Sequence, residues 1–227
     1  MKKLIIYFSI LLLIPVSFSN GFPSFRGERF KTDYAIGLFA GMNLSTFEFK
    51  NSLGQRDAGY DFLRGSNYGI NFIISNGYHV FRPELSIHKN GAKYIYNSTP
   101  IQWETTYLNF NATYMFNMIR SKYDFLGFGA APYSVRIGAS LGFNYLTNGI
   151  QYVGEDQISL IHSNSMSRFD VTASALTTFG VKLTDLLAIN IEYRFNYGLL
   201  QIEKSSNNQT THNLYHTFII AIYHRLQ

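Results

Sequence analysis

The 227-residue chain contains no cysteine, which excludes disulfide bridges, thiolate zinc sites and cysteine nucleophiles. After its first residues it also lacks any apolar run of the roughly 18 residues that would identify a membrane-spanning helix. Charge is sparse: Asp, Glu, Lys and Arg make up 15% of the chain, and the net charge of +5 is scattered without a basic run. This pattern argues against a nucleic-acid partner.

Motifs for cofactors and metals are missing as well. The sequence has no glycine-rich phosphate loop, and its 6 histidines do not form a ligand pair on one predicted strand. We therefore expect no cofactor and no metal site. The strongest catalytic candidates are His162, Ser163 and Ser165 in a polar stretch, because lipid-modifying enzymes built on barrels use Ser or His groups near the rim. Most loop residues of this kind are only solvated, and we expect that the protein is not an enzyme.

Residues 1–19 have the composition of a secretory signal peptide. Lys2 and Lys3 precede an apolar stretch, and Ser17 and Ser19 are the small residues expected before a cleavage site. We expect this segment to be removed on export. The remaining chain then divides into an N-terminal periplasmic segment over 20–33 and one domain over 34–227.

Strict alternation of apolar and polar residues dominates that domain. From Tyr133 to Tyr145 every second residue is apolar, which is the period of a strand with one apolar and one polar face. The stretch is longer than the roughly 5–6 residues of an ordinary strand, and a tilted strand needs roughly 9–11 residues to cross a bilayer. Comparable segments occur eight times, at 34–46, 65–74, 78–96, 104–116, 133–145, 168–181, 187–199 and 214–226.

The connections between these segments alternate in length. Tight turns are predicted at 75–77 and 183–186, and longer polar loops at 48–64, 97–103, 147–167 and 201–212, whereas 118–132 is a long exception. Outer-membrane barrels have short periplasmic turns and longer external loops. The sequence therefore predicts an all-β fold: an eight-stranded antiparallel up-and-down transmembrane β-barrel, preceded by a signal peptide, in the outer membrane of a Gram-negative bacterium.

Charged residues on the predicted inner faces form the main candidate site. An eight-stranded barrel is just wide enough for side chains to fill it, and buried charges need partners. We expect an ion-pair and hydrogen-bond network that plugs the lumen; a small-ligand or ion-conducting site is the alternative. The candidate lumen residues are Arg82, Glu84, His88, Arg136, Asp170, Glu192 and Arg194.

The chain is also rich in aromatic residues, with 17 Tyr and 20 Phe. Aromatic girdles mark both interfaces of membrane barrels. Near predicted strand ends, the residues expected to form such girdles are Tyr34, Tyr78, Tyr107, Tyr114, Tyr133, Tyr145, Tyr193 and Tyr197.

Several short motifs are spread along the chain. They are the glycine-rich opening strand over 37–45, Pro83-Glu84-Leu85 with the "HKNGAKY" run over 88–94, Tyr107-Leu108, Pro132-Tyr133 with Gly138 and Gly142, and Glu192-Tyr193-Arg194 with Gly198-Leu199. Together these motifs resemble the PorT-type outer-membrane barrel family of Bacteroidetes. The resemblance covers most of the mature chain and implies membership of an outer-membrane β-barrel family, without assigning a process.

The function that we expect is that of a structural or interaction scaffold, whose outer loops, chiefly 147–167 and 48–64, present a surface. Its expected partners are outer-membrane lipid and other envelope proteins. Three alternatives stay open at this stage: a soluble secreted ligand-binding barrel of lipocalin type, an outer-membrane enzyme acting on lipid, and a narrow channel.

Overall fold

The computed structural model describes residues 32–51, 53–57, 59–76, 78–118, 133–204 and 210–226. The predicted signal peptide, most of the predicted periplasmic segment and most of the 118–132 connection lie outside the described residues. Within those ranges, no helix has the length and hydropathy that a membrane span requires.

Eight long strands form the fold, and each pairs antiparallel with its sequence neighbours. The last strand pairs with the first, which closes the sheet into a ring and confirms the predicted eight-stranded barrel. Two short strands, Arg56–Asp57 and Asp156–Ser159, extend this ring at one end. The ring strands are β1 Thr32–Lys50, β2 Asp61–Asn76, β3 His79–Tyr96, β4 Thr99–Asn117, β5 Tyr133–Val153, β6 Phe169–Lys182, β7 Leu187–Gly198 and β8 Thr210–Leu226.

Alternation in the sequence becomes alternation across the barrel wall. Leu38 on β1 lies between Ile70 on β2 and Ile222 on β8, and all three side chains point outward and are about half exposed or more. Their neighbours in sequence point inward and are mostly buried. A closed ring with this arrangement pairs its backbone polar groups between strands while it presents an apolar exterior.

The end of the barrel that holds Thr32 and Leu226 is called the terminal end, and the opposite end is called the loop end. At the terminal end, β6 and β7 are joined by a tight turn, in which the Thr184 hydroxyl accepts hydrogen bonds from the backbone N–H groups of Leu186 and Leu187. A hydrogen bond from Lys182 holds the pKa of the exposed Asp185 carboxyl below its usual value.

The strands extend further into the predicted loops of the loop end than the sequence indicates. The predicted loop over 48–64 is shortened by β1, which ends at Lys50, and by β2, which begins at Asp61, and the predicted loop over 201–212 is shortened by β8, which begins at Thr210. The predicted loop over 97–103 is wrong: β3 and β4 stay paired up to Tyr96 and Thr99, and only Asn97 and Ser98 make the turn. Both have positive φ, at 45° and 66°, as the two central residues of a type I′ hairpin turn require. The predicted loop over 147–167 is also partly wrong, since β5 continues to Val153 and then pairs with Asp156–Ser159.

Pro83 does not break its strand. It faces Ala112 across the β3–β4 ladder, where the register is continuous, but on the β2 side no ladder pair involves Pro83, because proline has no N–H to donate. The pairing register shifts at two other places, between Phe62 and Asn67 on β2 and between Thr106 and Tyr107 on β4.

Buried polar side chains line the middle of the barrel interior and also occur at its ends, as Arg136 does near the terminal end. An apolar cluster occupies part of the terminal half and includes Ala35, Phe39, Ile73, Val80, Met115, Leu176, Ala188, Ile219, Ala221 and Tyr223. A second apolar cluster closes the loop end, where Leu160, Met166 and Ile202 from the connections after β5 and β7 fold inward onto the wall residues Phe47, Ala92, Tyr107 and Leu146.

Candidate functional site

Four of the seven predicted lumen residues meet in one buried group, here called the lumen quartet: Arg82 and Glu84 from β3 and Glu192 and Arg194 from β7. Arg82 Nη1 lies 2.7 Å from Glu192 Oε2, and Arg82 Nε lies 3.3 Å from Glu84 Oε2. Arg194 Nη1 lies 3.0 Å from Glu84 Oε1, and Arg194 Nε donates to Glu192 Oε1 at 3.0 Å. Each carboxylate therefore lies between two guanidinium groups, and the formal charges cancel.

The strand pattern explains how the quartet forms. Within each strand the two charged residues are two positions apart, so both point into the lumen. β3 and β7 are not neighbours in the ring, because β3 pairs with β2 and β4, and β7 pairs with β6 and β8. The ion pairs between Arg82 and Glu192 and between Glu84 and Arg194 consequently cross the lumen rather than follow the wall.

Neutral side chains add hydrogen bonds to the same carboxylate oxygens. Glu84 Oε1 accepts hydrogen bonds from Asn111 Nδ2 at 3.0 Å and from Thr113 Oγ1 at 3.2 Å. Glu192 Oε2 accepts one from Thr178 Oγ1 at 3.0 Å. Two close partners with supporting hydrogen bonds are the condition under which a buried ion pair offsets its desolvation.

Tyr223 adds a hydroxyl to the same layer. Its oxygen accepts hydrogen bonds from Arg82 Nη1 at 3.4 Å and from Asn71 Nδ2 at 3.1 Å. Tyr223 is not among the lumen residues predicted from the sequence, although it follows the outward-facing Ile222 and therefore points inward on an alternating strand.

Arg136 is buried but lies outside the quartet. Its Nε donates to Asn117 Oδ1 at 3.0 Å, and its Nη2 donates to Ser134 Oγ at 2.9 Å. These partners belong to the ends of β4 and β5 near the terminal end. The predicted residue is therefore inside the barrel, in a separate hydrogen-bonded group.

His88 and Asp170 form a third group, towards the loop end. The His88 ring packs between Tyr107 and Tyr215, with centroid distances of 5.5 and 5.6 Å. Asp170 Oδ2 accepts a hydrogen bond from Asn213 Nδ2 at 2.8 Å. Tyr107 is 1% exposed, so its predicted place in an outer girdle is wrong: it shares the parity of the inward-facing Asn109.

Little space remains between these groups. A cavity of about 10 Å³ is lined by residues that include His88, Asn109, Arg194 and Tyr215. A buried water needs at least about 10–15 Å³ of such volume, so this space is at the lower limit for one molecule. The central lumen is packed with side chains at this level.

The catalytic candidates are near one another, but His162 contacts Ser159 rather than either of the predicted serines. His162 Nδ1 lies 2.9 Å from Ser159 Oγ, and Ser163 Oγ lies 2.9 Å from Ser165 Oγ. In an activated serine, the histidine contacts the nucleophile and a third group orients the histidine. Across the described ranges, no group of three or more His, Asp or Glu side chains could hold a metal ion.

The outer surface is an apolar belt with aromatic residues towards both ends. Of the predicted girdle residues, Tyr34, Tyr114, Tyr133, Tyr145 and Tyr193 point outward and are exposed. Tyr34 stacks on Phe72 near the terminal end, and Tyr145 packs against Phe169 nearer the loop end. A closed antiparallel ring with such a belt is the architecture of bacterial outer-membrane barrels, and this chain has that architecture.

Comparison with known proteins gives fold-level likeness only. No protein-family model matches the sequence, and no curated protein matches it. Neisserial surface protein A is 15% identical, with a TM-score of 0.42 over 84% of this chain and 98% of that one. OprG of Pseudomonas aeruginosa is 11% identical, with a TM-score of 0.48 over 90% and 100%. Ail, the attachment invasion locus protein of Yersinia pestis, is 12% identical, with a TM-score of 0.38 over 88% and 100%.

Proposed function

We propose that the protein is an integral outer-membrane β-barrel of the PorT type, with a closed lumen, which acts as a structural or interaction scaffold and presents its loop end at the cell surface. The observation that carries this proposal is the apolar outer face of the closed ring, typified by Leu38 with its cross-strand neighbours Ile70 and Ile222. The PorT-type assignment is supported by the short motifs described above.

The orientation follows from the connections. Both described chain ends and the tight β6–β7 turn lie at the terminal end, which the general asymmetry of outer-membrane barrels places in the periplasm. The loop end then faces outward. There the side chains of Leu53, Ile95 and Tyr96 are 80%, 69% and 59% exposed. Exposed apolar side chains on surface connections suit contact with another envelope protein.

The packed lumen favours a scaffold over a narrow channel. The lumen quartet bridges opposite walls, and apolar clusters lie on both sides of the polar layer. An ion would have to displace paired charges and then cross apolar packing. We infer that the barrel does not conduct.

The apolar exterior opposes the lipocalin alternative, because a soluble barrel of that type turns its apolar face inward around a ligand. His162 contacts Ser159 rather than the predicted Ser163 or Ser165, and among the described residues no carboxylate orients its ring, as the base of an activated serine would require. We infer that the protein is not an enzyme.

Two measurements test the proposal. Protein produced with its leader should fractionate with outer membranes and stay monodisperse only in detergent; monodisperse behaviour in plain buffer would contradict membrane residence. Purified protein reconstituted into planar bilayers should give no conductance steps. Reproducible steps would contradict the closed lumen and support a channel function instead.

A further inference from the structure

A cavity of about 100 Å³ opens at the loop end, above the second apolar cluster. One side is made by Phe47, Tyr60 and Trp103. Across from them lie residues from the connections after β5 and β7, chiefly Met166 and Glu203. The expected function as a scaffold assigns no role to this cavity.

The three aromatic rings pack against one another beside the cavity, tilted by 41° to 61°. The Trp103 ring centroid lies 5.7 Å from that of Tyr60 and 6.0 Å from that of Phe47, and the Phe47 and Tyr60 centroids are 6.4 Å apart. Tyr94 stacks on Tyr60 at 4.9 Å and supports it from its own strand. The π faces of such a group carry a negative quadrupole, which attracts a cation.

The electrostatics of the cavity also favour a cation. Among the described residues that line it, Glu203 is the only charged one. The Thr211 hydroxyl donates to Glu203 Oε2 at 2.7 Å, and the backbones of Glu203 and Met166 pair in an isolated bridge, so the carboxylate is held in place. Three basic side chains of the same end contact other groups: Arg56 and Lys50 lie 3.6 and 3.8 Å from Glu48, and Lys204 donates to Asn164.

The composition of the walls selects the kind of cation. Calcium and magnesium require about six or more oxygen ligands, often from several carboxylates. Among the described lining residues Glu203 is the single carboxylate, and the amide of Gln151 and the hydroxyls of Ser165 and Thr211 add few further oxygens, one of which already donates to Glu203. A methylated ammonium group has the opposite needs, since its charge is spread over methyl groups that contact aromatic faces. A volume of 100 Å³ is several times the roughly 10–15 Å³ that one buried water needs, so the cavity admits a group larger than water.

We propose that this cavity binds a small organic cation through a methylated ammonium group, with Phe47, Tyr60 and Trp103 as the aromatic wall and Glu203 as the counter-charge. The site does not depend on the scaffold role, because a barrel without protein partners would still carry it. It would give the cell surface a receptor for a soluble amine.

Trp103 makes the site directly observable, because it is the only tryptophan of the chain. The folded protein in a sugar-based non-ionic detergent is titrated with tetramethylammonium chloride and with choline chloride at constant ionic strength. Detergents with phosphocholine heads are avoided, since they carry the same group. We expect a saturable change in tryptophan fluorescence and saturation transfer to the N-methyl protons in NMR.

The neutral isostere of choline, 3,3-dimethyl-1-butanol, separates charge from shape without any mutation. Cation–π contacts and the carboxylate together should make it bind about tenfold more weakly than choline. Equal binding of the alcohol and choline would overturn the proposal in favour of a neutral apolar site. Absence of saturable binding of either cation by both fluorescence and NMR would overturn it as well.

Variants then locate the site. Glu203→Gln should weaken choline binding about fivefold to tenfold, whereas Glu155→Gln, which removes an exposed carboxylate from the turn after β5, should leave it unchanged. Tyr60→Leu should weaken binding and keep an apolar side chain in place. Heat-modifiable electrophoretic mobility verifies that each variant is folded. Unchanged binding in folded Glu203→Gln would contradict the assigned counter-charge.

Discussion

Arg194 on β7 contacts Glu84 on β3 across the barrel lumen, with Nη1 of the arginine 3.0 Å from Oε1 of the glutamate. The two residues are 110 positions apart in the sequence, and their strands are not neighbours in the ring. Their contact ties two opposite walls together inside an environment from which water is largely excluded.

Removal of one partner should therefore be costly. Glu84→Gln leaves Arg82 and Arg194 with one carboxylate between them, and the loss of one member of a buried ion pair costs about 3–5 kcal/mol. We expect the free energy of unfolding, measured by urea titration in lipid vesicles with Trp103 fluorescence, to fall by that order. The exposed Glu155→Gln is the matched control and should change it by less than about 0.5 kcal/mol.

The same quartet predicts non-additivity. Glu84→Gln combined with Arg194→Met removes one charge of each sign, so neither partner is left uncompensated. The double variant should be clearly more stable than the sum of the two single changes predicts, by about 0.5–3 kcal/mol. Simple additivity would mean that the two side chains do not interact in the folded barrel.

The outer belt gives a prediction about lipid contact. Leu38 is 65% exposed and lies in the central part of β1, where we expect acyl chains. Leu38→Arg should lower the free energy of unfolding of the barrel in vesicles by about 2–4 kcal/mol, which is the cost of an arginine at the bilayer midplane. Leu53→Arg, at a loop position that is 80% exposed, should have no measurable effect. Equal effects of the two changes would place Leu38 outside the hydrocarbon layer.

Parity along the strands accounts for how much of this site the sequence could predict. Residues two apart on a long amphipathic strand share a face, so Arg82 with Glu84 and Glu192 with Arg194 were assigned to the lumen from spacing alone. Their contact across the lumen depends on the stagger between β3 and β7, which the closure of the whole ring sets. Periodicity within one strand carries no information about that stagger.

Local chemistry explains the features that the sequence reasoning missed. The turn at Asn97 and Ser98 lacks the glycine that usually identifies a two-residue hairpin. Leu160, Met166 and Ile202 lie in mainly polar stretches without a sustained alternation, so no period predicts that they fold into the barrel mouth. Their burial at the loop end is a tertiary effect of the wall residues beneath them.

Close strand approach at Gly91 predicts an intolerant position. A Cβ atom there would lie 1.9 Å from the Trp103 carbonyl oxygen and 2.6 Å from Leu63 Cδ2, so the backbone would have to move. The Gly91 N–H also donates to Ser45 Oγ at 2.8 Å. We expect Gly91→Ala to destabilise the barrel by more than the ~1–2 kcal/mol that a left-handed backbone costs an ordinary residue. That smaller cost is the expectation for the control Gly54→Ala, which has a φ of +75° and open space around it.

The hairpin between β3 and β4 predicts a stabilising change. Ser98 has a φ of 66°, in the left-handed region that glycine adopts without strain. Ser98→Gly should raise the free energy of unfolding by up to about 1 kcal/mol, because the second position of this turn type favours glycine. Ser98→Val should lower it by about 1–2 kcal/mol, since a β-branched side chain crowds this backbone. Urea titration of the three proteins in the same vesicles measures the order. A stability order of valine above serine above glycine would show that β3 and β4 are joined by a wider loop, as the sequence alone had suggested.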